Sequence, residues 1–161
     1  YKMALTIILT TRGIPCILYG TEIAMPSTEN HGELRKDFPG GWDDDSKNAF
    51  YDFGLNQTES EAKNFMKALL NWRKSSDAIG KGKLIHFPVT DGLYVYFRNY
   101  KEDIVMVVIN NLDQREDFDP ELYKDVIGGK KEAIEIFDEN AYSLRKKISI
   151  YPKTANIFQI K

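Results

Sequence analysis

From Leu84 onward the chain is a succession of short runs rich in β-branched and aromatic residues, each closed by a turn signal, and few folds accept such spacing. LIHFPV, LYVYFRN, IVMVVINN, AIEIFD, KKISIY and ANIFQIK read as about six strands, with Asp91-Gly92 and Asn110-Asn111 as turns. Strands of this kind predict an antiparallel all-β sandwich. In LYVYFRN, Leu93, Val95 and Phe97 alternate with Tyr94, Tyr96 and Arg98, the period of a strand with one buried face.

The preceding half reads differently. Residues 1–11 place Met3, Ala4, Leu5, Ile7, Ile8 and Leu9 nearly all the way round a helix that stops before Gly13, and a helix apolar on most sides is a buried one. IPCILYG follows, a continuous apolar run of the kind found in a parallel strand covered on both faces, so an α/β unit is predicted here. Residues 21–57 are polar and rich in Gly, Asp and Asn, a span long enough to suggest function. TESEAKNFMKALLNWRK at 58–74 then predicts an amphipathic helix, with Thr58 and Glu61 as its capping box. Gly80 and Gly82 punctuate a change from helical to strand period, which places a domain boundary near residues 76–83.

With 161 residues, 42% of them hydrophobic, the chain has material for one domain or for a small domain plus part of another, and it is not a disordered chain. Its formal net charge of -2 supplies no basic field for nucleic acid or anionic membrane, and no apolar run is long enough to span a bilayer. The single cysteine, Cys16, sits in an apolar run and is expected in a core, and no Cys/His cluster has metal-ligand spacing. No leader with a cleavage site opens the chain, and Tyr1 is expected to fall inside an element already under way. Periplasmic, secreted and cytoplasmic placement all stay open.

The pattern G-x-P-x-x-x-Y-G-x-E is met by Gly13, Pro15, Tyr19, Gly20 and Glu22, and HGELRKDFPGGW follows at residues 31–42. The first resembles the segment that forms the eighth strand of the barrel in the α-amylase family, glycoside hydrolase family 13. The second is similar to the following loop in its neopullulanase, cyclomaltodextrinase and maltogenic-amylase branch. The resemblance implies an α+β fragment: residues 1–76 as the C-terminal remnant of a (β/α)8 catalytic barrel, with helix seven, strand eight, a long loop and helix eight. Residues 77–161 would be the C-terminal β-sandwich domain. It also implies a retaining enzyme acting on α-glucans, whose nucleophilic Asp, acid/base Glu and third Asp would lie upstream of Tyr1. The fragment itself is expected to be inactive and to supply one wall of the cleft. A non-catalytic carbohydrate-binding sandwich is the alternative.

Within the loop, the Arg35 fork can donate paired hydrogen bonds to adjacent sugar hydroxyls, or else form an ion pair with Asp37 or Glu33. His31, four residues earlier, is a sugar donor or a satisfied loop histidine. Phe38 and Trp42 flank Pro39-Gly40-Gly41, and their faces suit a glucose ring, although Trp42 equally suits an anchor for the loop. Asp37 would bond a hydroxyl or hold Arg35. Glu22 follows the strand, and the resemblance makes it a structural support rather than a catalytic acid. Asp43, Asp44 and Asp45 read as solvated charge before they read as a Ca²⁺ site, and Tyr94, Tyr96 and Tyr100 as strand packing before a sugar surface. No catalytic residue, metal or cofactor is expected in this chain, Ca²⁺ being left to the parent enzyme. Its partners are α-glucan oligosaccharides, together with self-association through the apolar faces of residues 1–20.

Overall fold

A computed structural model describes residues 1–26, 32 and 35–161. The chain divides into two compact units, one of residues 15–68 with Tyr1 and one of residues 2–14 with 69–161.

The larger unit is built on antiparallel strands. These are β1 (Lys83–His86), β2 (Leu93–Tyr100), β3 (Asp103–Asn110), β4 (Glu116–Phe118), β5 (Glu132–Glu135), β6 (Ala141–Ser143), β7 (Ile148–Ile150) and β8 (Thr154–Ile160). Six of them form one sheet in the order β1-β2-β3-β8-β5-β6, and β4 pairs with β7 in a second, two-stranded sheet. The two strands missed by the sequence reading, β4 and β6, are EDF and AYS, three residues each with no β-branched side chain to mark them. At Asp91-Gly92 both residues take positive φ, 51° and 76°, as the turn into β2 requires.

Strand parity sorts the large sheet's two faces. Leu93, Val95 and Phe97 of β2 share a face with Met106 and Val108 of β3 and with Phe158 and Ile160 of β8. That face meets Phe118 of β4 and Ile148 and Ile150 of β7 in one hydrophobic core. Each such side chain contributes about 1.5–3 kcal/mol on burial, before chain entropy is charged against it.

The other face corrects the expectation of a single buried face. Tyr96 and Arg98 are buried, as are Val105, Val107 and Ile109 of β3 and Ile157 of β8. Helix α1 (Lys2–Thr10) buries Leu5, Thr6, Leu9 and Thr10 in this unit. The Thr10 hydroxyl shares a 2.5 Å hydrogen bond with the Tyr96 hydroxyl, and burial pushes the Tyr96 phenol up to about 12. Arg98, 2% exposed, donates from Nη1 to the carbonyls of Thr10 at 2.9 Å and Thr11 at 2.7 Å. Its Nη2 donates to Ile79 and Gly82, both at 2.8 Å. One guanidinium thus collects the free carbonyls at the ends of α1 and of a short helix, Asp77–Lys81, which would otherwise be buried without donors. Burial, reinforced by Arg73, lowers the Arg98 pKa, but the group stays charged. A second cation, Arg73, donates from Nη1 to the Leu9 carbonyl.

Other expectations for residues 1–20 are also corrected. Helix α1, apolar on most sides, is buried on one face only, since Ile7 and Ile8 stay exposed. Residues 14–18 carry no regular structure, so the strand expected at 15–19 is absent. A parallel strand needs a ladder on its flanks and cover on its faces, and none of the described strands pairs with this segment. Cys16, expected in a core, is exposed, and Ile14 is 99% exposed.

The second long helix, α2 (Gln57–Ser75), starts one residue earlier than expected and is capped two residues earlier. Asn56 Oδ1 accepts from Glu59 N at 2.9 Å while Glu59 Oε2 accepts from Asn56 N at 2.8 Å, so Asn56 and Glu59, not Thr58 and Glu61, form the capping box. Asn accepts at an N-cap as well as Thr does, which leaves the register to the contacts of Glu59.

Candidate functional site

The smaller unit holds the candidate site on its long loop. The loop begins at Gly20, whose φ of 83° turns the chain into a short 3₁₀ helix, Thr21–Ile23. Met25 N and Ile23 N both donate to the Gly20 carbonyl, and Ile23 is buried. Glu22 is half-buried on this turn, and the Tyr1 hydroxyl donates to the Thr21 carbonyl at 2.5 Å. Burial first, and then the Glu22 charge, raise the Tyr1 pKa. The Tyr19 hydroxyl reaches forward to the Lys36 carbonyl at 3.1 Å.

The stretch from Lys36 to Phe53 has no helix or strand to hold it, yet polar staples fix its backbone. Asp45 Oδ2 accepts from Gly40 N at 2.6 Å and from Trp42 N at 3.1 Å. These backbone donors hold the Asp45 carboxyl below its ordinary pKa. Gly40 has φ 106°, and a Cβ there would fall 2.6 Å from the Asn48 side chain, so glycine is required. Asn48 and Phe53 exchange backbone hydrogen bonds at 2.8 and 2.9 Å, closing a small hairpin. Asn48 Oδ1 accepts from Phe50 N and Tyr51 N inside it. Ala49, buried, donates to the Pro39 carbonyl at 3.0 Å. Lys63 of α2 donates to the Ala49 carbonyl and pairs with Asp52 at 2.5 Å, while Lys47 pairs with Glu59 at 2.8 Å. The Lys47 ammonium, more than any other neighbour, lowers the Glu59 pKa.

What this stapling presents is aromatic. Trp42 is 64% exposed and Tyr51 83%, with Phe50 and Phe53 also open to solvent. Within this chain the loop is held through Trp42's backbone, and its ring is exposed. Phe38 is half-buried, with its ring at 5.0 Å and 61° to that of Phe50. Arg35 and Asp37 are exposed, and no ion pair joins them among the described residues. His31 and Glu33 lie outside the described residues. Arg35, Asp37, Phe38 and Trp42 thus share one loop, with the motif residues Pro15, Tyr19, Gly20 and Glu22 in the same unit; Gly13 belongs to the other. Of the tyrosines considered for a sugar surface, Tyr96 is wholly buried and Tyr100 lies under the ammonium groups of Lys81 and Lys101.

Asp45, read from the sequence as solvated charge, instead staples the turn, and Asn48 and the aromatic run Phe50, Tyr51 and Phe53 escaped the sequence reading. The signal was present in DDDSKNAFYDFG, where Asn48 and Gly54 bracket aromatic residues as turn formers do. Chemically, the loop offers a planar donor fork, a carboxylate and flat apolar faces, a set that suits a polyhydroxylated ring.

Comparison with known proteins places the chain. Residues 84–159 match the family described as the cyclo-malto-dextrinase C-terminal domain. The cyclomaltodextrin glucanotransferase of Klebsiella oxytoca is 36% identical over 110 residues, covering 67% of this chain and 15% of that protein. The chain carries a C-terminal domain of the α-amylase family. A second member, α-amylase 3 of Dictyoglomus thermophilum, is 27% identical across 98% of this α-amylase-family chain and 34% of its own length. The chain thus spans 15% and 34% of the length of these relatives. Among solved structures, the α-amylase of Geobacillus thermoleovorans, complexed with acarbose, superposes with TM-score 0.72 at 20% identity over 99% of this chain and 32% of that one. An Anoxybacillus α-amylase gives 0.73 at 21% over 99% and 31%. The antiparallel sheets described above are those of an amylase C-terminal domain.

Proposed function

We propose that the complete protein is a retaining glycoside hydrolase of the neopullulanase, cyclomaltodextrinase and maltogenic-amylase type, acting on α-glucans such as starch fragments, pullulan or cyclodextrins. Residues 1–76 belong to its (β/α)8 barrel and residues 77–161 to the β domain behind it. The observation that carries this reading is a loop with a stapled backbone and free aromatic rings beside an exposed Arg35, in a chain of the α-amylase family. The Arg35 fork bonds adjacent hydroxyls of a bound glucan while Trp42 and Phe38 meet ring faces, with Asp37 and His31 at the same wall.

Retention needs two carboxyl groups about 5–5.5 Å apart, one nucleophile and one proton donor. The resemblance puts both before Tyr1, so this chain binds and positions but performs no cleavage by itself. Assay of the complete protein and of this chain on pullulan and cyclodextrin tests the division: turnover by this chain alone refutes it. In the complete protein, Arg35→Ala is expected to raise KM with kcat little changed. The loss of a charge-assisted pair is worth about 1.5–3 kcal/mol, or roughly 10- to 100-fold in kcat/KM. An unchanged KM removes Arg35 from the cleft.

A further inference from the structure

In the larger unit, a cleft of about 410 Å³ opens where Trp72, near the end of α2, faces the β5–β8 end of the large sheet. Ile134 of β5 and Gln159 of β8 are register partners there, on the sheet face that α1 and Arg98 occupy further along. Ile136 adds apolar floor, and Glu139 and Lys161 stand at the rim. The volume lies within the roughly 300–1,000 Å³ of small-molecule clefts.

The cleft is built, not incidental. Glu135, buried, accepts from Phe137 N at 2.7 Å and Asp138 N at 3.0 Å through one oxygen and from Ile157 N at 3.3 Å through the other. That carboxylate fixes the turn that carries Glu139, whose own N–H donates to the Glu135 carbonyl at 3.0 Å. Gln159 spends its amide hydrogens on Asp103 at 2.7 Å and the Ile104 carbonyl at 3.1 Å, which fixes its side chain. The Lys161 backbone is tied to the Glu132 carbonyl at 2.8 Å. By contrast, the Glu139 carboxylate and the Lys161 ammonium hold no partner among the described residues. A rigid indole wall between an unspent acceptor and an unspent donor suits a ring with one apolar face and hydroxyls that both give and take hydrogen bonds.

We propose that this cleft is a second α-glucan site, separate from the loop of residues 35–53, in which the Trp72 indole takes the face of a glucose unit while Glu139 and Lys161 bond its hydroxyls. The choice of α-glucan rests on the proposed function. It places the stacking residue on α2, so residues 77–161 alone would bind weakly.

Titration of this chain with maltoheptaose, followed by amide and indole NMR, tests it. The expected result is saturable shifts of the Trp72 indole N–H and of the Glu139, Gln159 and Lys161 amides. Trp72→Ala is expected to weaken binding on the order of tenfold. Glu139→Ala and Lys161→Ala, at exposed positions that leave the fold intact, each weaken it about threefold. Absence of shifts at these residues overturns the proposal, even if the complete protein cleaves α-glucans. Shifts with cellohexaose and none with maltoheptaose overturn instead the α-glucan reading from which the ligand was taken.

Discussion

Replacing Arg98 with Met tests whether the helix-covered face of the sheet is held by one guanidinium. Met keeps most of the side-chain volume and the apolar stem, so the change removes the charge and four hydrogen bonds with little change in packing. Two effects oppose each other. A buried cation with no carboxylate partner is costly, and its removal recovers desolvation energy; the carbonyls of Thr10, Thr11, Ile79 and Gly82 then lose their donors where water is scarce. Single unmatched buried acceptors cost about 1–3 kcal/mol each, and water entering from the exposed Arg12 side satisfies part of the set. With four acceptors at stake, part of them met by water and part of the loss offset by the recovered desolvation energy, the expected net loss is about 3–5 kcal/mol. At about 2–4 °C per kcal/mol for a chain of this size, the melting temperature falls by roughly 6–20 °C. Arg98→Lys is expected to recover less than half, because a single ammonium cannot span two helix ends. Urea and thermal unfolding followed by near-ultraviolet circular dichroism measure it. A Met variant within about 0.5 kcal/mol of the parent would mean that the desolvation cost cancels the bonds and that α1 is held by Leu5 and Leu9 instead.

Two further outcomes follow from the same contacts. Asp45 has a lowered pKa in the folded loop, so its contribution is complete above the unfolded value of about 3.9 and disappears as pH falls through the folded value. Exchange protection of the Gly40 and Trp42 amides should therefore hold down to about pH 4 and decay below it, and Asp45→Ala should lack it at every pH; protection independent of pH in the parent chain would refute the staple. Ile7, Ile8, Ile14 and Leu18 are exposed, and self-association through residues 1–20 is expected to appear in light scattering as a mass that rises with concentration and drops in Ile14→Asp/Leu18→Asp. A monomer at all concentrations would overturn it.

The sheet was legible because its signal is local. Val, Ile, Tyr and Phe in runs closed by Asp91-Gly92 or Asn110-Asn111 specify strands through their own turns, and β2, β3 and β8 lie where the runs lie. Which faces are buried was not legible. Tyr94, Tyr96 and Arg98 read as the polar side of β2, and it is α1, with Thr11 at its end some 87 residues from Arg98, together with the short helix Asp77–Lys81, that turns that side into an interior. Polar residues with apolar stems accept burial when a distant backbone supplies partners, and period alone carries no word of those partners. The segment at 14–18 shows the reverse limit. Its apolar run is a strand pattern, yet hydrogen bonds to neighbours make a strand, and the described strands offer it none.

Scaffold and loop are held by different forces, and this decides what each can expose. The central strands β2, β3 and β8 are buried on both faces, so the sheet's order rests on apolar area and tracks temperature and denaturant. In the loop of residues 35–53 Ala49 is buried, and the backbone is fixed instead by Asp45, Asn48, Lys63 and the pairing of Lys47 with Glu59. Because polar groups do the fixing, Trp42, Phe50, Tyr51 and Phe53 need not be buried to order the chain. Their rings stay available to a ligand without a conformational change to release them. The same arrangement makes loop order sensitive to pH and salt under conditions where the sheet is indifferent, since exposed ion pairs are screened and buried apolar contacts are not.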